Sequence, residues 1–217
     1  HLVDREAKLV RLLAPPFEHA EPHPGYIRGY PPGVRENGGQ YTHAAMWHAI
    51  AHARLGHGDE ALRMLQCANP IARSGDAEGA ARYRIEPYAV AGDIYAVEPH
   101  TGRGGWSWYT GAAAWFYVAA IEEILGLRVR HGRLHIDPCV PAAWRGYSAE
   151  YRWRDAVYRI AVANRDGVCK GVRELRLDGR SIDAAAGVPL VDAGAHDVEV
   201  DLGAVDLGAA AARAANG

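Results

Sequence analysis

Residues 101–115 read Thr-Gly-Arg-Gly-Gly-Trp-Ser-Trp-Tyr-Thr-Gly-Ala-Ala-Ala-Trp. Glycines and aromatics crowd the first half into a loop. Thr110-Gly111 then opens a small-residue run whose spacing predicts a helix to about Leu125. A helix start leaves backbone N–H groups unpaired, and the macrodipole makes that end partly positive. A Thr hydroxyl beside a glycine N–H therefore forms a natural cradle for an oxyanion. Trp106, Trp108, Tyr109 and Trp115 add flat apolar surfaces of the kind sugar rings stack on. The same residues also read as an ordinary Thr N-cap surrounded by core aromatics.

The helical character extends back from this stretch. Apolar residues recur at helical spacing over 1–13, 41–56, 59–68 and 107–126. In the second of these, Ala44, Trp47, Ala51 and Leu55 share a face, and the small residues of 112–120 permit close helix packing. Beyond Leu127 the period becomes two. Tyr151 and Trp153 alternate with Arg152 and Arg154, the alternation resumes as Tyr158, Ile160 and Val162, and Val198, Val200 and Leu202 alternate with acids. Residues 164–167 and Asp178-Gly179 are turn signals. The expectation is an α+β multidomain chain: helices over 1–126, an antiparallel β module over 127–203, and a weakly structured Ala-rich tail over 204–217.

A second loop-to-helix junction lies at 25–43, Gly-Tyr-Ile-Arg-Gly-Tyr-Pro-Pro-Gly-Val-Arg-Glu-Asn-Gly-Gly-Gln-Tyr-Thr-His. Its prolines and glycines forbid regular structure, and Thr42-His43 enters the helix that follows. Arg35, Glu36, Asn37, Gln40 and His43 crowd hydrogen-bonding and titratable groups into one short segment. Constrained polar loops of this kind commonly carry a binding site. A solvated turn capped by Thr42 is the plainer alternative.

Composition limits the function classes. A formal net charge of −2 and a pI near 6.6 argue against a nucleic-acid partner. Cys67, Cys139 and Cys169 are odd in number and far apart, so neither a disulfide framework nor a zinc site is indicated, and reduced thiols in a cytosolic setting fit best. No apolar run approaches the roughly 20 residues of a membrane helix, and no signal peptide opens the chain. The first residue is His1, which points to a fragment or a processed start.

Two strings, Gly-Tyr-Pro-Pro-Gly-Val-Arg-Glu-Asn-Gly-Gly-Gln-Tyr-Thr-His (29–43) and Gly-Arg-Gly-Gly-Trp-Ser-Trp-Tyr-Thr-Gly (102–111), resemble the inverting disaccharide and oligosaccharide phosphorylases of the glycoside hydrolase family 94 type. That family includes cellobiose, chitobiose and β-1,2-oligoglucan phosphorylases. The likeness is greatest to the phosphorylase-like C-terminal region of cyclic β-1,2-glucan synthases. Arg-Glu-Ala-Lys-Leu (5–9), Pro-Pro-Phe (15–17), Tyr-Arg-Ile-Glu-Pro-Tyr (83–88) and Leu-His-Ile-Asp-Pro-Cys-Val-Pro (134–141) extend it over nearly all of 1–165.

The resemblance implies that 1–126 is the C-terminal part of an (α/α)6 barrel catalytic domain and that 127–203 is a jelly-roll-like β-sandwich. It implies phosphate binding by His43, Thr110 and Gly111, and sugar binding by Arg35, Glu36, Gln40, Trp106 and Trp108. The general acid in the family is an Asp upstream of anything matched, so no catalytic residue is assigned within this chain. No cofactor is implied; inorganic phosphate is the co-substrate and a β-glucan oligosaccharide the partner. The upstream domains of the same polypeptide would complete the site, a homodimer is compatible with the family, and the location would be the cytosol, including the cytosolic face of an inner-membrane protein. A barrel lacking most of its helices would expose a large apolar face, so low stability in isolation is expected.

Other features weigh less. His48 and His52 stand at i, i+4, yet Ala49 replaces the Glu of a zinc-protease helix, so no metal is assigned. Adjacent Glu122 and Glu123 are expected to meet solvent, as are Arg152 and Arg154. Glu86 and Asp93 read equally as structural or functional.

Overall fold

The computed structural model describes residues 2–108 and 110–204. The chain forms two compact units: His1–Ala51 with Ala61–Ala120, and His52–Glu60 with Ile121–Gly217. All but the first residue of the predicted tail at 204–217 lies outside the described residues.

The first unit opens with a correction. Residues 2–13 of the helix expected over 1–13 are no helix. They form a hairpin of β1 (Val3–Asp4) and β2 (Leu9–Val10), with Val3 opposite Val10 and Asp4 opposite Leu9. The Asp4 carboxylate turns the chain by accepting the Ala7 N–H at 3.0 Å and pairing with Arg11 at 2.7 Å, while Lys8 takes a left-handed φ of 53°. A side-chain turn of this type competes directly with helix formation.

A 3₁₀ turn at Gly25–Gly29 precedes β3 (Gln40–Tyr41), which pairs antiparallel with β4 (Asp93–Ile94). Helix α1 (Thr42–Arg54) follows β3 without a break, then come α2 (Gly58–Gln66), α3 (Pro70–Arg73) and α4 (Ala77–Tyr83). Asn69 and Asp76 cap α3 and α4 by accepting the N–H of Ile71 and Gly79. On α1 the buried stripe is Ala45, Met46, Ala49, Ile50 and Ala53. The shared face of Trp47 and Leu55 points the other way, at 53% and 71% exposure. Leu9, Tyr83, Ala91 and Ile94 form a buried cluster with Ile85 against it. Each of its larger side chains contributes about 2 kcal/mol through burial.

Helix α5 spans Thr110–Tyr117 and passes into a π-helical stretch, Val118–Ile124. Here the second acid of the Glu122-Glu123 pair departs from expectation. Glu123 is buried and clamped: Arg54 donates to Oε1 at 2.9 Å and Arg128 to Oε2 at 2.8 Å. The wider π turn is a common place for a side chain to be redirected in this way.

The second unit carries two sheets. One has three strands in the order β11 (Val188–Pro189), β6 (Arg133–Ile136), β5 (Leu127–Arg130). The other has five, in the order β10 (Arg180–Ile182), β9 (Val172–Leu177), β12 (Ala193–Leu202), β8 (Asp155–Ala163), β7 (Gly146–Trp153). Strand β8 buries Ala156, Tyr158, Ile160 and Val162, and β12 buries Val198, Val200 and Leu202. The Tyr158 hydroxyl links the sheets, donating to the Pro189 carbonyl at 3.1 Å and accepting the Val191 N–H at 2.8 Å. The module is not purely antiparallel, because β12 pairs parallel with β8 from Ala193↔Asp155 onward. Arg154 sits at the β7–β8 turn with φ of 50° rather than on a strand, and like Arg152 it is exposed.

Candidate active site: two loops and an aromatic relay

The loop before α1 is fastened by its own polar side chains. Asn37 is fully buried; its Oδ1 accepts the Phe17 N–H at 2.7 Å, and its Nδ2 donates to the carbonyls of Phe17 (3.0 Å) and Tyr30 (2.8 Å). Backbone bonds from Gly33 to Asn37 (2.7 Å) and from Gly39 to Arg35 (3.2 Å) tighten the turn. A Cβ at Gly39 would stand 2.8 Å from the Arg35 carbonyl, so residue 39 must be glycine for the turn to close.

Gln40, expected among the sugar contacts, lies inside the scaffold. It is fully buried, its Oε1 accepts the Val10 N–H at 2.8 Å, and its Nε2 donates to the Cys67 carbonyl at 3.1 Å. Both ends of the amide serve the scaffold, tying β2 and the end of α2 to β3. On a strand, alternate side chains face opposite ways, so its neighbour Tyr41 is free to take the other side.

Arg35 and Glu36 stay together. Arg35 Nε lies 3.5 Å from Glu36 Oε2, and their side chains are only 12% and 13% exposed. The Arg35 guanidinium lies 4.8 Å from the ring centre of Trp106, 5.6 Å from Tyr30 and 5.9 Å from Tyr41. Such a cation among aromatic faces contributes about 1–2 kcal/mol when partly desolvated. Trp106 keeps much of its own surface exposed.

From Tyr41 the contacts continue. Its ring stacks with that of His43 at 6.2 Å, His43 stacks with Trp115 at 5.5 Å, and Trp47 meets His43 edge-on at 4.6 Å. His43 Nε2 is buried and has no hydrogen-bond partner among the described residues. Trp115 is four residues beyond Gly111, on the same side of α5. A Cβ at Gly111 would meet nothing within 4 Å, so the approach to its backbone is open. Tyr109 and the Thr110 side chain lie outside the described residues. The relay Trp106–Arg35–Tyr41–His43–Trp115 thus links both predicted loops.

Trp108 does not join it. With φ of 62°, it turns to donate its Nε1–H to Glu86 at 3.0 Å and packs edge-on against Tyr88 at 6.1 Å. That hydrogen bond holds the Glu86 carboxyl below its ordinary range.

Asp93, unassigned from sequence, is at the centre. It is completely buried; Oδ2 accepts the Arg35 N–H at 3.1 Å and Oδ1 the Trp106 N–H at 3.2 Å. Burial pushes its carboxyl above the usual range, opposed by those two N–H groups and the Arg35 charge. The available signal was a single acid inside the apolar run Ala-Val-Ala-Gly-Asp-Ile, residues 89–94.

Elsewhere, His52 Nδ1 lies 3.4 Å from His57 Nδ1. Among the described residues no three His, Cys, Asp or Glu side chains converge as metal ligands. No described helix is long and apolar enough to cross a membrane.

Residues 2–126 match the family model for the glycosyl hydrolase 94 superfamily, catalytic domain, and residues 127–169 match that for the glycosyl hydrolase family 65, C-terminal domain. The cyclic beta-(1,2)-glucan synthase NdvB of Rhizobium meliloti (strain 1021) is 51% identical over 162 residues, covering 75% of this chain and 6% of that protein. The N,N'-diacetylchitobiose phosphorylase of Vibrio furnissii is 35% identical over 181 residues, covering 83% of this chain and 22% of that protein. The 3-O-beta-D-glucopyranosyl-beta-D-glucuronide phosphorylase of Paenibacillus borealis is 33% identical over 184 residues, covering 81% and 23%. The chain therefore spans less than a quarter of the length of each of these relatives. With more than half of its residues matched by the catalytic-domain model, the chain belongs to the glycosyl hydrolase 94 superfamily.

Proposed function

We propose that this chain carries the phosphate-binding part of an inverting glycoside phosphorylase, acting on β-linked glucan, with a β-1,2 linkage as the first candidate. The observation that carries the reading is the stacking of His43 on Trp115 at 5.5 Å, with the buried Nε2 unpaired beside the helix that begins Thr110-Gly111. On this reading phosphate is held by His43, by the Thr110 hydroxyl and by the Gly111 N–H, and no metal or organic cofactor is required. Sugar contacts come from Trp106, Glu36 and Arg35, with Trp108 and Glu86 at the periphery.

The chemistry balances simply. A phosphate oxygen forms a bond to the anomeric carbon as the glycosidic C–O bond breaks, with inversion, giving α-glucose 1-phosphate and a shortened acceptor. The attack comes from the face opposite the leaving sugar, as with water in an inverting glycosidase. The departing oxygen takes its proton from a general acid, assigned here to an Asp of the full polypeptide outside residues 1–217. Residues 1–126 would close an (α/α)6 barrel, 127–203 would form a β-sandwich, and other domains of the same polypeptide would complete the catalytic centre. The 51% identity to a cyclic beta-(1,2)-glucan synthase favours a role in trimming linear β-1,2-glucan at the cytosolic side of such an enzyme. A homodimer is compatible with this reading.

The test is phosphate-dependent release of glucose 1-phosphate from β-1,2-linked glucose oligomers by the full polypeptide, with cellobiose as control. Release that disappears in Thr110→Ala supports the reading. Glucose formed without phosphate makes the site a hydrolase, and glucan binding without turnover makes it a binding module.

A further inference from the structure

One buried carboxylate touches both loops of the sugar-facing region. Asp93 sits on β4 opposite Tyr41, so its backbone is already paired with the strand that carries the relay. Its carbonyl accepts the Gly105 N–H at 2.9 Å, and its two carboxylate oxygens accept the N–H groups of Arg35 and Trp106. The Asp93 carboxylate fills the space where a Cβ at residue 105 would lie, so any side chain there would evict it. Arg35 and Trp106 are the two partners of the closest cation–aromatic contact in the relay, and one residue fixes the backbone of both.

We propose that Asp93 is a positioning residue: its carboxylate sets the spacing between the Arg35–Glu36 loop and the Trp106 loop, and through it the width of the sugar subsite. This rests on the phosphorylase reading above. An ionised carboxylate suits the task because it accepts at both oxygens. Asparagine has one acceptor, and its amide hydrogens would face the second N–H. Asp93 does not reach substrate, since it is fully buried behind the residues it holds.

The experiment uses the full polypeptide as its gene encodes it, the variants Asp93→Asn, Trp106→Ala and their combination, and a β-1,2-linked glucose trimer as probe. Asp93→Asn raises the KM for the trimer about tenfold, the effect of one lost charge-assisted hydrogen bond. Its kcat and its KM for phosphate stay within about twofold, and in the Trp106→Ala background, which keeps the backbone N–H but removes the indole it positions, the added effect also falls within about twofold. Hydrogen exchange in Asp93→Asn rises at 33–37 and 103–107 and stays unchanged along the buried stripe of α1. An unchanged trimer KM overturns the proposal, and so does exchange that rises along α1 as well. Where the parent releases no glucose 1-phosphate, the phosphorylase reading fails, and trimer affinity measured by tryptophan fluorescence replaces KM. Weaker binding in Asp93→Asn then upholds the positioning role, and equal binding, or none in either protein, removes it.

Discussion

The two units use their polar side chains in opposite ways. In the β module the ion pairs lie on wet sheet faces: Arg152 and Glu150, for instance, are 76% and 48% exposed. In the first unit, polar side chains of the loop before α1 turn inward and are consumed by backbone. Asn37 and Gln40 make five hydrogen bonds to main chain between them. A sheet satisfies its backbone within its own ladder and can leave side chains to solvent, whereas an irregular loop must borrow side chains to satisfy its backbone. The rigidity of the candidate site is therefore made by amides and a carboxylate, and that of the β module by periodic apolar burial.

The sharpest way to break this contrast is Asn37→Ala. It strands the N–H and carbonyl of Phe17 and the carbonyl of Tyr30, and should cost about 3 kcal/mol in urea unfolding; on the proposed function it also weakens glucan binding. Glu123→Ala comes next and tests the exception, a buried acid in the second unit. It leaves two arginines without their shared carboxylate, but Arg54 is already largely exposed, so a loss of about 2–3 kcal/mol is expected, at the low end for a broken buried pair.

A pH scan supplies the third. Burial pushes the Tyr83 hydroxyl up to about 12 from its ordinary 10.0. Between those values the unfolded chain gives up the proton while the native state keeps it, so stability falls as pH rises through that window, by about 2 kcal/mol. In Tyr83→Phe this component of the alkaline slope disappears. The smallest effect belongs to the sheet surface: Arg152→Ala should shift stability by no more than about 0.5 kcal/mol. A loss several times larger would show that the wet face of β7 is a packed surface.

The same contrast decides what could be read from the sequence. Tyr158, Ile160, Val162 and Val198, Val200, Leu202 announced buried strand faces, because a period of two survives whatever lies across the sheet. The parallel pairing of β12 with β8 left no such mark, since it joins segments some forty residues apart through backbone alone. Helices α1 and α2 were legible as helices, but the buried stripe of α1 was not. Its alanines and Met46 are no more apolar than the Trp47 side, so the pattern held no preferred direction. At 1–13 the side chain of Asp4 and the left-handed Lys8 overrode an apolar spacing that suits a helix.

In the site, the loops were visible as loops, and the family resemblance named their residues. What the string could not supply was direction, because side chains in an irregular segment follow no period. Arg35 and Glu36 face the aromatics while Asn37 and Gln40 face inward, and Asp93 gathers two loops separated from each other by about seventy residues.

The fastening of the loop by Asn37 also has a chemical consequence. Asn37 is followed by Gly38, the pairing most prone to deamidation, in which the next backbone nitrogen attacks the side-chain carbonyl and expels ammonia through a succinimide. Here the amide is immobilised by three hydrogen bonds, so the reaction waits for the loop to open. Once it has occurred, the NH₂ that served two carbonyls is replaced by a carboxylate that can only repel them, and the loop cannot close as before. Ageing the protein and following the small mass gain at residue 37 would therefore clock the openings of this loop, and each one recorded would be a molecule retired from use.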